Sequence, residues 1–246
     1  MNNFLFPFIL TSFAAFSTML GTLLIFFKFK NYNKLIVASL SFAAGVMITV
    51  SITDLIPESL LLLKENNNDF TSLILCIISI ILGIIISMIL NYYLPDNSNN
   101  TLYKVGIISM LAIILHNIPE GIITFITASS NMTLGISLAI AIALHNIPEG
   151  ISISVPIYYS TKSKFKALSY TFISAVSELF GAFITFLFLK NFINNTIIGI
   201  LFAIVAGIML NISLCKLLPT VKTYNYNRFS IIFFVIGILF ILIKFL

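Results

Sequence analysis

Eight apolar runs, at roughly residues 4 to 27, 35 to 63, 72 to 94, 104 to 129, 132 to 158, 167 to 189, 196 to 220 and 228 to 246, make up most of this chain. Nearly all exceed the ~20 residues a helix needs to cross the hydrocarbon of a bilayer. In lipid every backbone amide must find a partner within the protein, so long uninterrupted runs of this kind can only be helices. The sequence therefore predicts an all-α membrane protein of eight transmembrane helices, residues 1–246 forming a single domain. A mean hydropathy of +1.11 and a 9% share of charged residues fit that class. The 24 Phe are spread through the runs and read as lipid-facing and packing residues. The first run has no Lys or Arg before Lys28, so it lacks the basic start of a cleaved signal peptide and reads as a retained span. Cys76 and Cys215 lie in apolar stretches, and two such thiols make no disulfide framework.

A net charge of +5 would suggest nucleic acid in a soluble protein. Here topology accounts for it. With the N-terminus outside, Lys28, Lys30, Lys34, Lys104, Lys162, Lys164, Lys166, Lys222 and Arg228 fall in cytoplasmic loops, with Lys216 just inside the membrane. Only Lys64, Lys190 and Lys244 stay outside. That asymmetry is what the positive-inside rule expects, so both termini are predicted to be extracytoplasmic and no nucleic-acid partner is needed. The loops are short and turn-forming, as in NNND at Asn66 to Asp69 and PDNSNN at 95–100.

Two internal repeats relate spans that cross in opposite directions. The string LHNIPEGI occurs at Leu115 to Ile122 and again at Leu144 to Ile151, and contains both histidines of the chain. His116 lies fifteen residues before Asn131 and His145 fourteen after it, so the copies meet at similar depth. A fainter repeat aligns Ala44, Gly45, Met47, Ser51, Leu55 and Pro57 with Ala206, Gly207, Met209, Ser213, Leu217 and Pro219 at a constant offset of 162. Spans one to three and six to eight thus read as inverted halves around the central pair, an architecture of secondary transporters.

The four-residue spacing puts His116 and Glu120 on one helix face, as it does His145 and Glu149. Two imidazoles and two carboxylates suit Zn²⁺, and also Fe²⁺, Co²⁺ or Mn²⁺. A buried imidazole satisfied by hydrogen bonds is the plainer reading of one such histidine; repetition of Asn, Pro, Glu and Gly at the same offsets speaks against it. Pro119 and Pro148 deprive the carbonyls of Leu115 and Leu144 of their helical partners, predicting a kink, and Gly121 and Gly150 permit close neighbours. Asn117 and Asn146 point about a hundred degrees away, toward an adjacent site. Glu178, in SELFGA of span six, is a mid-membrane acid that needs a cation, a proton or a polar partner. Asp54 and Glu58 could attract cations at an entrance or simply be a solvated helix end. Ser152, Ser154, Ser174 and Ser177 could add oxygens, although helix packing is their commoner use. Met47 and Met209 read as packing residues.

These strings resemble the ZIP (ZRT/IRT-like) family of metal transporters, in its bacterial ZupT-like branch: HNIPEG paired on spans four and five, SELFGA on span six, AGVMITVS and AGIMLNIS on spans two and seven. The resemblance implies uptake of Zn²⁺, with Fe²⁺, Mn²⁺ or Co²⁺ as further cargo, across the cell membrane through a two-metal centre. It assigns a first site to His116, Glu120, His145 and Glu149, and a second to Asn117, Asn146 and Glu178 with Glu120 and Glu149 bridging. It further implies a homodimer in which spans one, four, five and six slide against the rest. Three departures stand out: Lys216 beside Cys215 where relatives carry an acid, Leu179 where many have proline, and no histidine between spans three and four.

Two rival readings are a non-transporting metal sensor or structural membrane protein, which would be expected to carry a soluble output element, and an intramembrane metal-dependent hydrolase. The chain has no HExxH, and with two glutamates used as ligands only Glu178 remains as a base. Transport by alternating access, with no enzymatic step, is the expectation.

Overall fold

A computed structural model describes residues 4–93, 101–189 and 194–243. The turn at 95–100, Lys190 and Lys244 lie outside the described residues, so the expectations for them are not addressed. Among the described residues there is no strand. Seven helices are long and apolar enough to cross a membrane: α1 (Leu5–Phe26), α2 (Tyr32–Lys64), α3 (Asp69–Tyr93), α4 (Thr101–Ser130), α5 (Met132–Thr161), α6 (Lys164–Phe188) and α7 (Asn195–Lys222). A shorter apolar helix, α8 (Asn227–Leu242), follows.

Local chemistry sets the starts. Asn31, Asn131, Ser163 and Asn194 each accept a hydrogen bond from the backbone N–H three residues on, capping α2, α5, α6 and α7. Asn131 is the only residue between α4 and α5, which forces these two helices into an antiparallel pair. Pro119 and Pro148 sit inside α4 and α5, yet both helices run unbroken past them. At each proline the ring removes one hydrogen bond, and the bonds on either side carry the helix through.

The helices form two packed groups. α1, α4, α5 and α6 pack against one another; α2 lies along α8, α3 along α7, and α2 meets α7. The groups join where α2 meets α5 and α4 meets α7. Large apolar side chains cover the outside, including Phe13, Ile78, Phe180 and Ile231, whereas Phe125 and Phe202 are buried. Such a surface suits hydrocarbon and would be an aggregation liability in water.

The inverted repeat extends to the packing. The carbonyl of Phe234 in α8 fills the space above Gly45 in α2, and the carbonyl of Ile80 in α3 does so above Gly207 in α7. Reciprocally, Gly237 abuts the carbonyl of Phe42 and Gly83 that of Ile204. Every pair keeps its offset: 162 between α2 and α7, and 154 between α3 and α8. Ser51–Leu55 and Ser213–Leu217 are matching π-helical turns ahead of Pro57 and Pro219. Each proline leaves a carbonyl of the preceding turn without its N–H, a cause of such widening.

Basic side chains gather at one end of the bundle. There Lys34 lies over the rings of Tyr226 and Phe229, Lys162 over Tyr32 and Tyr159, and Lys164 over Phe26. The opposite end carries the Lys64–Asp69 pair at 3.0 Å.

Candidate metal centre

His116 on α4 and His145 on α5 face each other across the central pair, ring centroids 6.0 Å apart. Their equal depth follows from their near-equal distance to the Asn131 turn. Nε2 of His145 is hydrogen-bonded to Oε1 of Glu120 at 2.7 Å. Nε2 of His116 lies 3.1 Å from Oε1 of Glu120 and 3.1 Å from Oε1 of Glu149, with no hydrogen bond aligned on either. All four side chains are buried.

Burial of so many unpartnered polar atoms is expensive in lipid or in protein unless a cation joins them. His116 Nδ1 and Nε2, Glu120 Oε2 and both oxygens of Glu149 lack hydrogen-bond partners. Two ligands held tetrahedrally at ~2.0–2.1 Å from a zinc ion stand ~3.3 Å apart, close to the 3.1 Å seen here. One donor atom each from His116, His145 and Glu149 falls within 4.8 Å of the others. Around one divalent ion the shorter contacts would lengthen and the wider one close, toward ~3.3 Å between donors.

The asparagines and Glu178 form an adjacent polar cluster. Nδ2 of Asn146 donates to Oε2 of Glu178 and to the carbonyl of Ala14 on α1, both at 3.0 Å. Nδ2 of Asn117 donates to the carbonyl of Ser174 on α6, again at 3.0 Å. With their N–H groups so engaged, Oδ1 of each asparagine and Oε1 of Glu178 are left buried and unpartnered. Asn146 follows His145 directly in α5, so its bond to Glu178 holds that carboxylate beside the histidine cluster. All seven residues singled out in the sequence therefore lie in one polar core.

A cavity of about 580 Å³ connects this core with one end of the bundle. Glu120 and His145 line its floor, and Asp54 and Glu58 of α2 line it toward the end opposite the lysine cluster. Of the four serines considered, Ser152 and Ser177 bond to carbonyls of their own helices, Ser154 reaches the carbonyl of Gly21 on α1, and Ser174 Oγ has no partner.

Glycines bring α1 and α6 against the central pair. Gly121 abuts the carbonyl of Glu178, and Gly181 that of Ile118; in the other half Gly150 abuts the carbonyl of Thr18, and Gly21 that of Ile147. The offset between α1 and α6 is 160, a relation unnoticed in the sequence. Its trace is there: Thr, Ala, Ser and Gly recur from Thr11, Ala15, Ser17 and Gly21 at Thr171, Ala175, Ser177 and Gly181.

An inverted pair of helical repeats around a buried imidazole and carboxylate cluster defines a membrane protein built to handle a metal ion. Residues 96–244 match the family model for the ZIP zinc transporter. The chain is 38% identical to the zinc transporter ZupT of Clostridium perfringens, over 94% of this chain and 92% of that one. It is 39% identical to the Campylobacter jejuni ZupT, over 88% and 87%, and 36% identical to that of Akkermansia muciniphila, over 97% and 96%. The chain belongs to the ZIP family, a family of multi-pass membrane transporters rather than enzymes.

Proposed function

We propose that this protein carries Zn²⁺ inward across the cell membrane, with Fe²⁺, Mn²⁺ and Co²⁺ compatible with the same donors. The first ion position comprises His116, Glu120, His145 and Glu149. The second comprises Asn117, Asn146 and Glu178, bridged by Glu120 and Glu149. The observation that carries the reading is the set of buried, unpartnered imidazole and carboxylate atoms at the floor of the 580 Å³ cavity. Borderline nitrogen donors beside oxygen donors favour Zn²⁺ over Mg²⁺ or Ca²⁺.

The cavity opens at the end away from the basic loops, which the positive-inside rule assigns to the outside, with both termini also outside. Cations would collect at Asp54 and Glu58, lose water stepwise to the carboxylates and settle between the imidazoles. Release on the other side requires the cavity to close above the ion and open below it. The inverted repeat supports such an exchange, because the two halves can trade conformations about the central pair. An inside-negative potential of 100 mV supplies about 4.6 kcal/mol to a doubly charged ion.

Uptake of radioactive zinc into proteoliposomes tests the reading, with Glu149→Gln as the paired variant. Accumulation by the wild type and its loss in the variant are expected. Zinc binding by the wild type with no flux would overturn it.

A further inference from the structure

The pseudo-two-fold axis places Thr18 where the other half has Glu178. Each residue has its carbonyl pressed against a glycine of the central pair, Gly150 for Thr18 and Gly121 for Glu178. Around them the halves agree closely: Ser17 Oγ donates to Ala14 O and Ser177 Oγ to Ser174 O, both at 2.6 Å. Those same carbonyls accept from Asn146 and Asn117 at 3.0 Å.

Thr18 is fully buried and its Oγ1 has no partner. Threonines in these helices ordinarily bond the carbonyl four residues back, as Thr11, Thr49, Thr124, Thr171 and Thr185 do. For Thr18 that carbonyl belongs to Ala14 and already has two donors, so the hydroxyl is left over. The symmetry sets the Asn117 amide toward Thr18 as it sets the Asn146 amide toward Glu178, and Oδ1 of Asn117 is also buried and unpartnered. Both oxygens of Glu149, the mate of Glu120, are buried and accept no hydrogen bond, although Oε1 lies 3.1 Å from Nε2 of His116.

We propose that Thr18 Oγ1, Asn117 Oδ1 and the Glu149 carboxylate form a third, oxygen-lined cation position on the α1 side of the centre, mirroring Asn146 and Glu178 on the α6 side. It rests on the metal-transport reading above. With a hydroxyl in place of a carboxylate and no imidazole, this position holds a partly hydrated divalent ion weakly. A weak stop lets an ion pass without trapping it. Asn117 serves both sides of the centre.

Three variants of the full-length protein test it: Thr18→Val, Thr18→Ser and Thr18→Glu. Zinc uptake is measured in proteoliposomes, and zinc bound per chain is counted by equilibrium dialysis and metal analysis. Thr18→Val is expected to slow uptake at least threefold, and Thr18→Ser, which keeps the oxygen, to restore most of it. Thr18→Glu, completing the mirror of Glu178, is expected to hold about one additional zinc per chain while transporting more slowly. Unchanged uptake in Thr18→Val, or equal loss in Thr18→Val and Thr18→Ser, would overturn the proposal, as would no extra zinc in a folded Thr18→Glu protein. A wild type that neither binds nor transports zinc would instead overturn the transport reading itself.

Discussion

Asp54 and Lys216 occupy the same position in opposite halves of the molecule, each the fourth residue of a π-helical turn, Ser51–Leu55 in α2 and Ser213–Leu217 in α7. Asp54 lines the cavity above the candidate centre. One half thus carries an anion where its counterpart carries a cation.

Substituting Asp54 by Asn should weaken capture more than turnover. At a separation of ~10 Å in water a unit charge attracts a divalent ion by about 0.8 kcal/mol, about fourfold in affinity. A fourfold rise in KM with little change in maximal rate is expected in zinc uptake assays, shrinking at high salt as screening sets in. An unchanged KM at low salt would remove Asp54 from the path.

Reversing the charge at Lys216, by Lys216→Asp, should make the two matched turns alike in charge. Efflux of zinc from preloaded proteoliposomes should then rise relative to uptake, by several-fold at low ionic strength. An unaltered ratio would show that the lysine has no part in directionality.

Glu149→Gln should separate stability from binding. Both carboxylate oxygens of Glu149 are buried without a hydrogen bond, Oε1 having only the imidazole of His116 nearby, so the metal-free protein loses little by the change and its melting temperature should hold or rise. Zinc at a hundred times its dissociation constant should stabilise the wild type by about 2.7 kcal/mol, and that increment should vanish in the variant. Thermal melts in detergent with and without zinc provide the check.

Acid should weaken metal binding. The proposed ligands would bind metal as neutral imidazole and charged carboxylate, so protons compete for the same lone pairs and affinity falls as pH drops. Zinc affinity measured at about pH 7.5 and about pH 5.5 is expected to be clearly lower at the acidic value. A flat profile would contradict the ligand set.

Gly121→Ala and Gly150→Ala should cause matching damage. An added methyl at Gly121 would meet the carbonyl of Glu178, and at Gly150 that of Thr18. Backbone cannot yield as a flexible side chain can, so each change should cost about 1–3 kcal/mol and lower the melting temperature. A tolerated alanine at either site would mean that α1 or α6 does not pack so closely.

Much of the centre was legible in the sequence because its information is local. The four-residue step from His116 to Glu120 fixes their common face, and the spacing about Asn131 fixes the depth of the second copy. The repeat joining Gly45 to Gly207 was visible because its residues recur at one offset. At Pro119 and Pro148 the sequence shows only a missing N–H; that the helix continues past each is a matter of the surrounding turns.

What the sequence by itself determined is the class and the donors: long apolar runs can satisfy their amides in lipid only as helices, and a doubled HNIPEG puts imidazole and carboxylate on facing turns. Only the tertiary structure decided what lies across from them. That Thr18 stands in the place of Glu178, and that Asn146 spans from the Ala14 carbonyl to the Glu178 carboxylate, depends on glycine notches in one helix receiving carbonyls of another. Hydropathy sets where a helix crosses; the fit between helices sets which buried oxygens meet.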